Sequence, residues 1–216
     1  MKSYAVIGLG RFGMQIASKL YEYGEDVLAV DISEELVDRI ADGVTRAVAA
    51  DAKNRDVLEE LGVQSCDCAI VALGSSLADS VLITMNLKSL GVPKIICKAH
   101  DDTHSEILYK LGADEVVIPE RVVADKLSRN LSSPNLLEYI ELSDDYGIVE
   151  IAPPRSWIGK TIRELGIRAK YGVNIIAVKQ GENIRVSPTA EYTIKGDTVL
   201  VLLGDYESLG KIESLK

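Results

Sequence analysis

Apolar residues come in short runs along the first part of the chain, separated by stretches of helical spacing. Residues 4–7, 27–30, 47–50, 68–73, 94–99 and 115–118 read as six strands, dense in apolar side chains as buried parallel strands are. Helical periodicity predicts helices over 14–23, 34–42, 54–61, 77–90 and 103–111, with Ser33 placed to cap the second. Strand and helix in alternation predict an α/β fold, a Rossmann-like doubly wound parallel sheet. Ligands of such sheets sit beyond the carboxyl ends of the strands, near the switch point of the strand order.

The pattern changes after residue 118. Pro119-Glu120 ends the sixth strand, a helix is expected over 122–131, and 132–135 has the composition of a linker. Beyond it, strand signals are β-branched and closely spaced: 147–151, a hairpin of 173–179 with 184–186, and 198–203. A brief helix at 160–165 and a last one over 205–215 complete a small α+β domain. The chain therefore divides into a nucleotide-binding domain at 1–133 and a second domain at 134–216. A domain of that size gains missing core by pairing with a copy of itself.

The first strand runs into Gly8-Leu9-Gly10-Arg11-Phe12-Gly13, then a helix, then a second strand ending on Asp31-Ile32. Strand, glycine turn, helix, strand and acid make the dinucleotide-binding fingerprint in its expected context. Gly8 permits the tight turn, Gly10 the approach of a pyrophosphate, and Gly13 close packing of helix on sheet. The helix start presents free N–H groups and a positive dipole end to phosphate. Asp31 suits the two hydroxyls of an adenosine ribose and repels a 2′-phosphate, so it admits both ATP and NAD. The strand-end rule adds Asp51, Ala52, Gly74, Ser75, Lys98 and Glu120 to this cluster.

Composition removes alternatives. Nearly half the residues are apolar, enough for a packed core, and the formal net charge is -9 without a Lys/Arg cluster, so nucleic acid is not expected as a partner. Cys66, Cys68 and Cys97 are odd in number and lack zinc spacing, which fits reduced packing thiols in cytoplasm. No signal peptide is expected ahead of the first strand, and no apolar run approaches a membrane span, so a membrane role would come through a partner. Catalysis lacks its groups: His100 and His104 fall in a polar stretch after the fifth strand, and the first domain has no Tyr-x-x-x-Lys pair. Ser75 and Ser76 suit a helix cap or a phosphate contact, and Trp157 suits the core of the second domain. A sheet that binds a nucleotide with no visible chemistry to perform on it points to a sensor and not an enzyme.

The glycine turn, Val30-Asp31, Asp51-Ala52, the run Leu142 to Glu150 and the run Arg168 to Ile175 together resemble a Ktr/Trk-type gating subunit. Such subunits carry a regulator-of-K⁺-conductance (RCK) module with two lobes. The resemblance implies homodimers assembled into a cytoplasmic ring, typically an octamer, docked at the inner face of the membrane under a K⁺-translocating subunit. It implies ATP and ADP as ligands favouring different ring shapes, with Arg11 reaching a terminal phosphate of its own or a neighbouring protomer. It implies a cation such as Mg²⁺ near the phosphates, held in part by Glu120. In the Ktr-like branch it implies cyclic di-AMP as an inhibitory effector in the C-lobe dimer, with Arg168 and Asn174 on phosphate and Ile162, Ile175 and Pro188 on adenine. Two alternatives stay open: an NAD(H)-sensing RCK subunit and an NAD-dependent oxidoreductase.

Overall fold

A computed structural model describes residues 1–216 except 75, 133–135, 144, 214 and 216. The chain forms two compact units, Met1–Pro119 and Glu120–Lys216.

Unit one contains β1 (Ser3–Ile7), α1 (Arg11–Glu22), β2 (Asp26–Asp31), α2 (Glu34–Ile40), β3 (Arg46–Ala49) and α3 (Arg55–Leu61). After these come β4 (Cys68–Val71), α4 (Leu77–Ser89), β5 (Ile95–Lys98), α5 (Asp102–Lys110) and β6 (Glu115–Val117). The six strands are parallel in the order β3-β2-β1-β4-β5-β6. Chain direction across the sheet reverses between β1 and β4, where a ligand crevice opens at the carboxyl ends. Both faces are covered, which is why the strands carry nearly continuous apolar runs: β4 is buried at every position. Ala5, Ile7, Val30, Ala69 and Val71 face one core, and Val6, Val27, Ala29, Cys68 and Ile70 the other.

Unit two contains α6 (Pro119–Ser132, which opens on the last residue of unit one), β7 (Leu136–Glu141), β8 (Tyr146–Ile151), α7 (Ile162–Leu165) and α8 (Ile167–Tyr171). It ends with β9 (Asn174–Gln180), β10 (Asn183–Val186), β11 (Val199–Asp205) and α9 (Tyr206–Glu213). The strands form one antiparallel sheet in the order β10-β9-β11-β8-β7. Trp157 is 2% exposed among Ile151, Val178, Leu200 and Leu202, a core residue as its composition suggested. Lys126 of α6 pairs with Glu138 of β7 at 2.8 Å, so this helix makes contact within unit two.

The elements differ from expectation where side chains gave weak signals. Pro119-Glu120 opens α6 as well as closing the sixth strand, proline being well suited to a first helical position. Residues 133–135 of the expected linker lie outside the described residues. Strand β7 was not expected, because Leu137 and Ile140 stay exposed and no alternation marks it. Helix α8 is only five residues long, fenced by Gly166 and Gly172 in the left-handed region at φ 53° and 77°. Ser33 does sit before α2, but its side chain makes no cap bond.

His104 departs most from expectation. It lies in α5, the helix expected over 103–111, but is 4% exposed where a polar stretch suggested a solvated side chain. Its Nε2 is 2.8 Å from Ser80 Oγ, which also lies 3.2 Å and 3.0 Å from the Ser76 and Leu77 carbonyl oxygens. Thr84 Oγ1 donates to Ser80 O at 2.7 Å and meets Cys97 Sγ at 3.3 Å, completing a polar seam between α4, α5 and β5. Burial holds the His104 imidazole below its ordinary pKa, and nearby His100 adds to this while Asp101 opposes it. The fold therefore favours neutral His104, a contribution present above the unfolded value and lost as pH falls below it. Wild-type protein is expected to lose thermal stability between pH 7.5 and 5.5, with a smaller loss in His104→Gln. Equal pH slopes in scanning calorimetry would show that the buried imidazole is not the titrating group.

Candidate functional site

The turn from β1 to α1 depends on two glycines for different reasons. Gly8 has φ +94°, and a Cβ there would lie 2.9 Å from Leu73 Cδ2 and 3.2 Å from the Ala72 carbonyl carbon. A Cβ on Gly13 would lie 1.8 Å from the Gly8 carbonyl oxygen, so only glycine lets α1 pass this close beneath the turn. Gly10 is the N-cap of α1 and has open space where a Cβ would point. Its side of the turn is the side a ligand can approach. Helices α2 to α6 each carry an acidic residue in the first turn, whereas α1 has neither an acid there nor a side-chain cap. Its positive end is left for an external anion, beside the exposed Arg11.

Asp31, at the end of β2, ties this turn down. Its Oδ2 accepts the Leu9 amide at 2.6 Å and its Oδ1 accepts the Ser33 amide at 2.8 Å. The expected role of Ser33 is corrected by these bonds: its backbone amide, not its hydroxyl, is the group at work. A carboxylate has about four acceptor directions, so two remain for ribose hydroxyls.

Ile7, Leu73, Ile83 and Ala52 form the apolar floor of a cleft whose rim carries Asp31, Asp51, Lys53 and Asp79. Of the residues named from sequence, Gly8, Asp31, Ile32, Asp51 and Ala52 line this one cleft. Leu9 is buried beside it, and Ile32 is 70% exposed at its edge. Lys98 ends β5 with Nζ 5.9 Å from the centre of the Phe12 ring, so it stands near the start of α1. Gly74 is exposed in the loop after β4, and Ser75 lies outside the described residues. Glu120 belongs to unit two, in the first turn of α6. Among the described residues no three His, Cys, Asp or Glu side chains gather to hold a metal, so Glu120 offers a single carboxylate and no ligand set. Sequence reading missed Lys53, Leu73, Asp79 and Ile83. Only Asp79 left a trace, as the fourth residue of a Ser-x-x-Asp cap in which Ser76 Oγ accepts the Asp79 amide at 3.2 Å.

Reactive side chains are withheld from the cleft. All three cysteines are free and buried, and burial pushes the Cys68 and Cys97 thiols up to about 11. In unit two, Ile162 opens α7, Arg168 is exposed on α8, and Asn174 and Ile175 open β9. Pro188 comes after Ser187, whose φ of 51° makes a left-handed kink at the end of β10. A cavity of about 650 Å³ in this unit is lined by Val178, Arg185, Tyr192 and Lys195 among others, and by none of those five.

Residues 4–119 match the TrkA-N domain and residues 147–216 the TrkA-C domain. The chain is 42% identical over 212 residues to Ktr system potassium uptake protein C of Bacillus subtilis (strain 168), covering 98% of this chain and 96% of that protein. It is 41% identical over 213 residues to Ktr system potassium uptake protein A of the same organism, covering 99% and 96%. Among solved structures, the RCK domain of GsuK superposes with a TM-score of 0.68 at 24% identity, covering 99% of this chain. That match spans 47% of the GsuK chain, so this chain is about half its length.

The two helix-side glycines separate packing from ligand approach. Gly13→Ala is expected to cost unit one more than about 3 kcal/mol, because the clash is with backbone and nothing flexible can yield. Gly10→Ala, with φ -63° and open space, should stay within about 0.5 kcal/mol of wild type. Denaturant unfolding of both variants measures the contrast.

Proposed function

The chain belongs to the family of Ktr-type potassium-uptake regulatory subunits built from TrkA-N and TrkA-C domains, and on that premise we propose that it gates K⁺ uptake by binding adenine nucleotides. The observation that carries this reading is the free positive end of α1, flanked by exposed Arg11 and locked to Asp31. The adenosine ribose lies on Asp31, the adenine against Asp51 and Ala52, and the phosphates over Gly8 to Gly13. ATP and ADP share every one of these contacts, so the shared contacts cannot make the two nucleotides favour different states of the protein. A γ-phosphate adds charge that Arg11 binds bidentately, from its own protomer or a neighbour in a homo-octameric ring. A tenfold difference in nucleotide affinity between two ring shapes supplies about 1.4 kcal/mol toward switching. Lys98 adds a cation near the phosphates, and the family resemblance adds Glu120 to the nucleotide-binding residues.

No helix among the described residues is long and apolar enough to cross a membrane. In this reading the K⁺ path belongs to a separate membrane subunit, and the ring sits against its cytoplasmic face. The protein acts by binding and not by catalysis. The imidazole of His104 is engaged with Ser80 and the thiols are buried, so neither this histidine nor a cysteine is presented to the cleft. A second effector, cyclic di-AMP, binds the C-lobe dimer through Ile162, Arg168, Asn174, Ile175 and Pro188 and closes the system. NAD(H) is the alternative occupant of the first cleft, favoured by the fact that Asp31 and Ala52 recognise an adenosine whatever is attached to its phosphates.

Calorimetric titration with ATP, ADP, NADH and cyclic di-AMP, with light scattering for ring size, tests the reading. Micromolar binding of ATP and ADP to a large ring, with NADH weak, is expected; tight NADH binding with no ATP signal would overturn the ATP assignment. Arg11→Ala should leave ADP affinity within about twofold and remove most of the ATP preference. Equal losses for both nucleotides would make Arg11 a general phosphate ligand.

A further inference from the structure

Helix α4 puts Asp79, Ile83 and Asn86 on one stripe, at i, i+4 and i+7. Asp79 and Ile83 line the cleft, Ile83 at its floor, and Asn86 stands one step further along the stripe behind Lys53. Asp79 Oδ1 stands 4.0 Å from Lys53 Nζ, and Asn86 Nδ2 donates to the Lys53 carbonyl at 2.9 Å. The same lysine reaches back to Asp51: its Nζ is 3.8 Å from Oδ2, and its amide donates to Oδ1 at 3.1 Å. Lys53 is thus bonded to α4 through its carbonyl, while its ammonium stands between Asp79 and the Asp51 carboxylate beside the buried Ala52. Without its ammonium, Asp51 and Asp79 would face each other across the rim with no intervening cation. Like charges so placed push the loop and the helix apart.

We propose that Lys53 is a positioning residue of the nucleotide cleft, gripped by the Asp79–Ile83–Asn86 stripe of α4 so that it sets the wall on which the adenine lies. This deepens the reading of the cleft as an adenine-nucleotide site and rests on it. Base-end affinity is then governed from α4, independently of the glycine turn and of the number of phosphates.

The test uses the full chain and measures calorimetric Kd values for AMP, ADP and ATP. Lys53→Met and Asn86→Leu should each weaken all three nucleotides by one common factor, about five- to tenfold, and Lys53→Arg should restore most of the Lys53→Met loss. Thermal unfolding checks that each variant folds, and if Lys53→Met does not, Asn86→Leu carries the same comparison. Unchanged affinities in folded variants, a loss that grows with phosphate number, or no rescue by arginine would overturn the proposal while wild-type binding still stands. Failure of the wild type to bind any adenine nucleotide would remove the cleft assignment itself, and this proposal with it.

Discussion

The bond from the Leu9 amide to the Asp31 carboxylate, 2.6 Å long, is the constraint on which the site depends. It joins the turn after β1 to the end of β2, two neighbouring parallel strands whose register already aligns Ile7 with Val30. Gly8 N donates to Val30 O at 2.8 Å, extending the sheet one step into the turn. The left-handed conformation at Gly8 then aims the chain back over Gly13. Remove the carboxylate, and Leu9 and Ser33 each lose a charge-assisted partner, worth about 1.5–3 kcal/mol apiece in comparable bonds. In the proposed reading the acid set for a ribose also builds the loop set for phosphate, so both parts of the nucleotide rest on one support.

Around that support the cleft is electrically polar. In the proposed reading the phosphate end carries Arg11, Lys98 and the start of α1, while the cleft itself is lined by Asp31, Asp51 and Asp79 with Lys53 among them. A nucleotide has the opposite pattern, anionic at one end and neutral with hydrogen-bond donors at the other. Only one orientation of the ligand satisfies both ends, which fixes the pose before any shape-specific contact is made. Because the chain as a whole has a net charge of -9, this local cationic corner stands against the surrounding field and not with it. Discrimination at the phosphate end is therefore short-ranged in the proposed reading.

Much of this was legible in the sequence because it rests on backbone rules. Glycine spacing, strand-end acids and apolar runs report on φ angles, helix dipoles and burial, and each survives translation into a single line of letters. The first sheet and the pairing of β9 with β10 were readable from such signals. What was not legible depends on which face of a helix looks where. The spacing of Asp79, Ile83 and Asn86 is visible on paper, but helix α4 is apolar or neutral on most sides and does not announce which stripe turns toward the cleft. His104 misled for a related reason: polar neighbours such as Asp101, Asp102 and Ser105 suggested an exposed side chain, while its own position points inward to Ser80. Strand β7 and helix α8 were hidden by exposure and shortness, where local patterning carries least information.

The arrangement of α4 has a consequence for how binding is felt beyond the cleft. One face of this helix supports the base end through Asp79, Ile83 and Asn86, and another holds α5 and β5 through Ser80 and Thr84. The helix is short enough to move as a body, and its contacts on both sides are polar, directional bonds that tolerate little sliding. A ligand that draws Lys53 and Asp51 onto its base acts on the same thirteen residues that carry the buried Ser80–His104 bond. Unit one thus couples nucleotide contact to its own interior packing through a single helix. In the proposed reading the base end supplies affinity common to ATP and ADP, while Arg11 on the α1 side supplies the difference between them, and that difference is what lets the two nucleotides favour different conformations.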